Sequence, residues 1–167
     1  MESLETKVWW GYLEQDLQEL LEESYLIMDI LRGMGADLPG GVKEFHDYSF
    51  VVFPAAKAYE GFLKKFFLDM KFITEADYYG KQFRIGKALN PSLPKKMMRE
   101  GIYDKVVQHC SGESLAQKMW ETWKRSRNLV FHWFPDERNA ITFNEAIERI
   151  DMIIETIDQT FKECKIN

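Results

Sequence analysis

The stretch "SFVVFPAAKAYEGFLKKFF", residues 49–67, is apolar on most sides when it is drawn as a helix. Its hydrophobic side chains recur at helical spacing, which predicts a mostly buried central helix from about Asp47 to Phe72. Pro54 is expected either to start this helix or to kink it, because proline has no backbone N–H to donate. Only "SFVVF", residues 49–53, could pass for a buried strand. A chain organised around such a helix is expected to be all-α.

Helical periodicity also predicts the elements around this segment, and capping boxes mark several of their starts. In a capping box a Ser or Thr and an acidic or amide residue three positions later satisfy each other's backbone N–H groups. Three such pairs occur: Thr74 with Asp77, Ser114 with Gln117, and Thr142 with Glu145. The prediction is one domain, residues 1–167, folded as an all-α bundle of four long helices plus short ones. In chain order the expected spans are Leu4–Leu31, Asp47–Phe72, a short helix from Thr74, another within Lys95–Gln108, residues 114–133, and a last helix from Thr142.

Composition places the chain among compact proteins without a membrane span. Hydrophobic residues make up 46% and aromatic residues 14% of its 167 residues, which argues against disorder. No apolar run approaches the roughly 18 residues of a membrane span, and Glu2 and Glu5 stand where a signal peptide carries positive charge. Cys110 and Cys164 belong to no Cys-rich or Cys/His motif, so neither a disulfide framework nor a zinc module is expected. A reducing, cytoplasmic location fits these features best.

Charge is distributed unevenly along the chain. The formal net charge is −5, yet residues 57–127 carry 15 basic and 8 acidic side chains, between flanks in which acidic residues dominate. A basic middle block is compatible with a positively charged cleft for phosphates, although overall charge alone would discourage a nucleic-acid function.

The segment "RSRNLVFHWFP", residues 125–135, places charges inside an apolar frame. On a continuous helix Asn128 and His132 share a face, Arg125 nearly eclipses His132, and Arg127 lies about 140° round from it. Because an unpaired buried charge is costly, an anionic partner is expected, either a protein carboxylate or a bound phosphate. The structural alternative is that cations simply favour the carboxyl end of a helix.

Two of these motifs resemble those of one family. "RNLVFH", residues 127–132, is similar to the R-x4-6-H signature of the HEPN superfamily, whose domains are small all-α bundles. "FPAAKAYEGFLKKFF", residues 53–67, is similar to the central helix of HEPN toxins of the RNase LS type, in which a basic residue and a later glutamate face the catalytic arginine and histidine. Lys57 and Glu60 occupy those positions here, and helical spacing puts Lys64 on the same face.

The resemblance implies a metal-independent endoribonuclease, acting as a toxin or in defence, with no cofactor and no metal. Histidine can hold or release a proton near neutral pH, and arginine stays charged while it binds phosphate oxygens. The 2′-hydroxyl of the RNA would attack the adjacent phosphate and leave a 2′,3′-cyclic phosphate. The implied catalytic residues are Arg127, His132, Glu60, Lys57 and Asn128, and the implied RNA contacts are Arg125, Lys64 and Lys124.

Such nucleases typically dimerise so that two motif helices build one cleft, and a homodimer is therefore expected. Trp120, Trp123 and Trp133 are candidates for that interface, although a core position is the simpler expectation for at least two of them. An antitoxin or effector protein is a further expected partner. The alternatives are a non-catalytic HEPN module that binds nucleotides or a partner, and an adaptor bundle that docks through its aromatic faces.

Overall fold

A computed structural model describes residues 3–36, 45–92, 101–110, 112–164 and 166. Regular structure within these ranges is helical and includes no strand, so the all-α prediction is confirmed. Three helices are 19 to 21 residues long, and the others are shorter. The α-helices are α1 (Gln15–Gly33), α2 (Ser49–Asp69), α3 (Glu75–Tyr79), α4 (Ile85–Ala88), α5 (Tyr103–His109), α6 (Glu113–Trp123) and α7 (Phe143–Glu163), with 3₁₀ turns at Leu4–Thr6, Trp10–Tyr12 and Pro135–Glu137 and a π-helical turn at Lys124–Asn128.

Helix α2 is the central element of the bundle, as its apolar pattern predicts. It packs against α1 on one side and α7 on another, while α6 packs between α5 and α7. The segment at residues 49–53 is the first turn of this helix and not a strand. Eleven side chains of α2 are buried, which fits a helix that is apolar on most sides: Val51, Val52, Pro54, Ala55, Ala56, Ala58, Tyr59, Phe62, Leu63, Phe66 and Phe67.

Pro54 lies inside α2, and a hydroxyl from the neighbouring helix compensates for it. Ser24 of α1 is fully buried. Its Oγ accepts a hydrogen bond from the Ala55 amide at 2.9 Å and donates one to the Val51 carbonyl at 3.0 Å. These two backbone groups are the pair that would bond each other in an undisturbed helix. The Ser24 hydroxyl therefore satisfies the backbone that proline disturbs, and it links α1 to α2.

The expected helix from Leu4 to Leu31 is wrong in its first eleven residues. Two 3₁₀ turns precede α1, and this segment docks on α7 instead of extending the helix. Trp9 is 1% exposed, and its indole N–H donates to the Asp158 carboxylate. Lys7 also reaches that carboxylate, at 3.1 Å. Burying a tryptophan against α7 outweighs the helical periodicity of these residues.

Two of the three predicted capping boxes are confirmed. Thr74 with Asp77 and Thr142 with Glu145 each make both reciprocal bonds. The box predicted at Ser114 and Gln117 is wrong, because α6 already begins at Glu113. Gln117 instead bonds Tyr103 Oη and Glu121.

The break before α6 falls at a glycine. Gly112 has a φ of 96°, a left-handed value that favours glycine. The chain changes direction at this residue before α6 begins. The short helix expected within Lys95–Gln108 starts at Tyr103, while residues 93–100 lie outside the described ranges.

A disulfide joins Cys110 and Cys164, which the sequence analysis did not expect. Their Cα atoms are 4.6 Å apart although 54 residues separate them in sequence. The ends of α5 and α7 meet because both helices pack on α6, and no local spacing indicates this. Because the two cysteines are paired, they give no support for a reducing compartment. Among the described helices, none combines the length and the hydrophobicity that crossing a bilayer demands.

Candidate functional site

The motif segment, residues 124–134, is not the continuation of an α-helix. Lys124–Asn128 forms a π-helical turn, closed by a 2.9 Å bond from the Leu129 amide to the Lys124 carbonyl, and a turn follows through His132. The prediction of one helix running to about Trp133 is wrong here. A π-turn holds one more residue than an α-turn, so the face relationships of a regular helix do not apply.

Tertiary hydrogen bonds hold this irregular turn in place. Ser126 is fully buried and donates to the Arg149 carbonyl on α7 at 3.3 Å. The Asn139 side-chain amide donates to the Leu129 carbonyl at 2.9 Å and to the His132 carbonyl. Asn139 thus caps the carboxyl end of the motif segment from ten residues downstream. Sequence reasoning missed it, since a single asparagine in a loop carries no distinctive signal.

Three predicted site residues meet around one pocket. Arg127 Nε lies 3.5 Å from Glu60 Oε2, and both side chains are a little over one-third exposed. The Arg127 guanidinium also lies 5.4 Å from the centre of the Trp123 ring. The Lys57 ammonium sits 5.8 Å from the centre of the Phe53 ring. These side chains line a cavity of about 380 Å³ with Phe53, Ala56 and Phe131.

His132 does not line this pocket. It is exposed and lines a separate depression of about 320 Å³, together with His46, Asp47 and Trp133. Phe131 borders both cavities, and its ring packs edge-on against Phe53 with 5.3 Å between centres. Within one chain, the imidazole and the Arg127–Glu60 pair therefore line different cavities that share Phe131.

Asn128 belongs to a third cavity, which adjoins the first. This groove has a volume of about 570 Å³, and Glu60 and Arg127 line it from the other side. The Arg127–Glu60 pair therefore lies between the two cavities and borders each of them. Asn128 is near the pair but does not line the same pocket as Lys57.

The three predicted RNA contacts lie outside these cavities. The Lys124 ammonium pairs with the carboxylate of Glu121 on α6 at 4.0 Å. Arg125 is exposed and lies near Arg149 of α7. The pKa of Arg149 is lowered first by its own burial and second by the positive charge of Arg125. Lys64 is half-buried and lines none of the three cavities. Their contact with RNA therefore stays a prediction.

An apolar patch surrounds the motif segment. Trp133 is 79% exposed, and Leu129, Phe134 and Phe53 are each exposed by more than a third. Trp123 is buried and Trp120 half-buried, so one of the three candidate interface tryptophans is fully at the surface. A contiguous group of large exposed apolar side chains is typical of interaction surfaces.

Comparison with known proteins finds no match to this chain among family models, curated proteins or solved structures.

Proposed function

We propose that this chain is a metal-independent endoribonuclease of HEPN type, a toxin or defence protein that works as a homodimer. The observation that carries the proposal is the Arg127–Glu60 ion pair, which faces an open pocket with Lys57 beside it. A guanidinium held by a carboxylate and left partly exposed is a receptor for a second anion. A phosphodiester supplies that anion.

The chemistry uses a nucleophile that RNA itself carries. The 2′-hydroxyl loses a proton and attacks the adjacent phosphorus, negative charge grows on the non-bridging oxygens, and the departing 5′ oxygen takes up a proton. Arg127 pairs with Glu60 through Nε, and its remaining N–H donors would bind the phosphate oxygens. Glu60 holds the guanidinium in place, and Lys57 adds positive charge to the pocket.

Proton transfer is assigned to His132, and its position favours a dimer. His132 and Arg127 line different cavities within one chain. A second copy that packs on the apolar patch would cover Trp133 and Phe134 and bring both motif segments, with both His132 side chains, to one shared cleft. Two histidines per dimer would then serve the two proton steps, one as base and one as acid.

A second candidate follows from the same separation. Without an imidazole in the pocket, the Arg127–Glu60 pair would bind a nucleotide phosphate and cut nothing. In that case a mononucleotide should raise the melting temperature, since a ligand that binds only the folded state stabilises it.

The decisive experiment incubates the purified protein with end-labelled single-stranded RNA in excess EDTA. Wild-type protein should cut the RNA and leave 2′,3′-cyclic phosphate ends. His132→Ala should lower the rate by about 10²- to 10⁴-fold, the usual contribution of general acid–base catalysis. Its free energy of unfolding should stay within about 0.5 kcal/mol of wild type, because the side chain is exposed.

His109→Ala is the matched control, since His109 is also exposed and lies at the end of α5, away from the pocket. It should cut at the wild-type rate. Intact RNA from a well-folded wild-type dimer would exclude the nuclease, and stabilisation by a mononucleotide would then support the binding module.

A further inference from the structure

The groove beside the Arg127–Glu60 pair has the composition of a nucleotide site. We call this groove the base groove. Most of its lining residues belong to the α4 region, to α6 and to the π-turn. Its volume of about 570 Å³ falls within the range of small-molecule pockets, which is about 300–1,000 Å³. Its lining includes Arg84, Gly86, Lys87, Trp120, Trp123 and Asn128.

Its charge is positive. Arg84 and Lys87 are both exposed and line it from α4 and the residue before this helix. Glu60, the acidic residue among the described residues that line it, is paired with Arg127. Arg84 and Lys87 also line a second cavity of about 500 Å³, together with Lys105 and one carboxylate, Asp77. The positive surface therefore continues beyond the groove, as a path for a strand with several phosphates would.

Two tryptophans give the groove an aromatic wall with distinct parts. Trp123 is 6% exposed, with Arg127 near its ring. A Cβ at Gly86 would lie 2.8 Å from Trp123 Nε1, so glycine lets the backbone of α4 lie directly against the indole edge. Trp123 is therefore covered by protein. Trp120, one turn earlier on α6, is half-buried and is the indole with surface left for a ligand.

We propose that the base groove binds one unpaired nucleotide next to the phosphate held at Arg127, with its base on Trp120 and its phosphate between Arg84 and Lys87. This assignment rests on the proposed function, and it names the substrate as single-stranded RNA. A base can stack on an indole only when it is not already stacked between neighbouring bases. A base inside a duplex is stacked in that way, so the groove is expected to bind a single strand and not a duplex. The Asn128 amide offers hydrogen bonds to the edge of that base or to its ribose.

The test measures binding separately from cleavage. A fluorescent eight-nucleotide strand with 2′-O-methyl groups lacks the nucleophile, so its binding by anisotropy is independent of catalysis. Trp120→Ala should weaken binding about tenfold, and Trp120→Phe, which keeps an aromatic face, should recover most of it. Arg84→Ala/Lys87→Ala should weaken binding about tenfold and flatten its salt dependence, because two phosphate contacts disappear.

Arg138→Ala/Lys162→Ala is the matched control. It removes the same charges from two exposed positions outside the groove and should bind as wild type does. Wild-type affinity in both groove variants would overturn the proposal, as would equal affinity of wild type for a duplex of the same sequence. Equal losses in Trp120→Phe and Trp120→Ala would also count against it. Loss of cleavage in His132→Ala with strand binding retained supports the groove, whereas absent cleavage by wild type with binding retained overturns only the nuclease.

Discussion

Helix α2 and the motif segment both contain a break in regular α-helical hydrogen bonding. In α2 the break comes from Pro54, and the buried Ser24 hydroxyl bridges the affected backbone groups. The π-turn of the motif segment is anchored from behind by Ser126, but its outer side chains face open cavities and the apolar patch. One irregularity is sealed inside the core, and the other presents an arginine to solvent. Irregular backbone at a surface pocket is typical of functional sites, whereas a sealed break serves packing.

The largest expected effect contrasts the buried and exposed faces of α2 itself. Phe62 is fully buried, and Phe62→Ala should lower the free energy of unfolding by about 3–5 kcal/mol through a core cavity. Phe53 is 50% exposed on the side of the site, and Phe53→Ala should cost less than about 1 kcal/mol. Urea unfolding measures both. If the two variants lost the same free energy of unfolding at every protein concentration, the contrast between the two faces would be wrong. A loss in Phe53→Ala that grows with protein concentration would show that copies of the chain bury this face.

The disulfide encloses the motif segment, and its removal tests how that region is held. The Cys110–Cys164 link spans 54 residues, and closing such a loop in the unfolded chain is worth about 4 kcal/mol. Reducing agent should therefore lower the free energy of unfolding by roughly that amount. The double variant Cys110→Ala/Cys164→Ala is the control, since reductant should leave it unchanged. A melting temperature of wild type that does not respond to reductant would show that the two thiols are not linked.

A double-mutant cycle tests whether Ser24 compensates for Pro54. Ser24→Ala leaves the Val51 carbonyl and the Ala55 amide without the hydroxyl, and it should cost about 1–3 kcal/mol. In a Pro54→Ala background the helix can close its own bond between these groups, so the same substitution should cost clearly less. Chemical unfolding of the four proteins gives the coupling. An identical cost in both backgrounds would mean that the hydroxyl acts independently of the proline.

The smallest expected effect on stability concerns the capping box at the start of α7, which ends the loop that follows the motif segment. Hydrogen bonds from the Thr142 backbone and side chain lower the pKa of Glu145 below its usual value of 4.5. A carboxylate with a lowered pKa stabilises the fold above its unfolded-state pKa, and this contribution disappears as pH falls through the folded-state pKa. Wild type should exceed Glu145→Gln in stability by less than about 1 kcal/mol at pH 7. Thermal melts from pH 7 to pH 3 should show the two converging, and a gap that widens in acid would contradict this.

Local patterns predict the regular parts of this protein well. The apolar circumference of α2 and the capping boxes at Thr74 and Thr142 depend on residues within a few positions, and all three are confirmed. The family resemblance implied that Glu60 faces Arg127, and the structure brings these two side chains together. Each of these features depends either on contacts within one helix or on the attraction between two opposite charges.

Other features depend on contacts that local patterns do not contain. Trp9 docks on α7 and replaces the expected first turns of α1, and Ser126 and Asn139 hold the motif segment in a π-turn and a loop. The π-turn then moves His132 out of the register that a continuous helix would give it. Helical phase accumulates along the chain, so one extra residue in a turn changes every face beyond it.

The amino-acid order was sufficient to establish an all-α chain and its central helix, because periodicity is a property of the order alone. The placement of Arg127 and His132 in different cavities, the groove beside Trp120 and the Cys110–Cys164 link came only with the folded chain. Each of these joins groups through packing between helices, and the relative placement of helices is decided by the whole core at once.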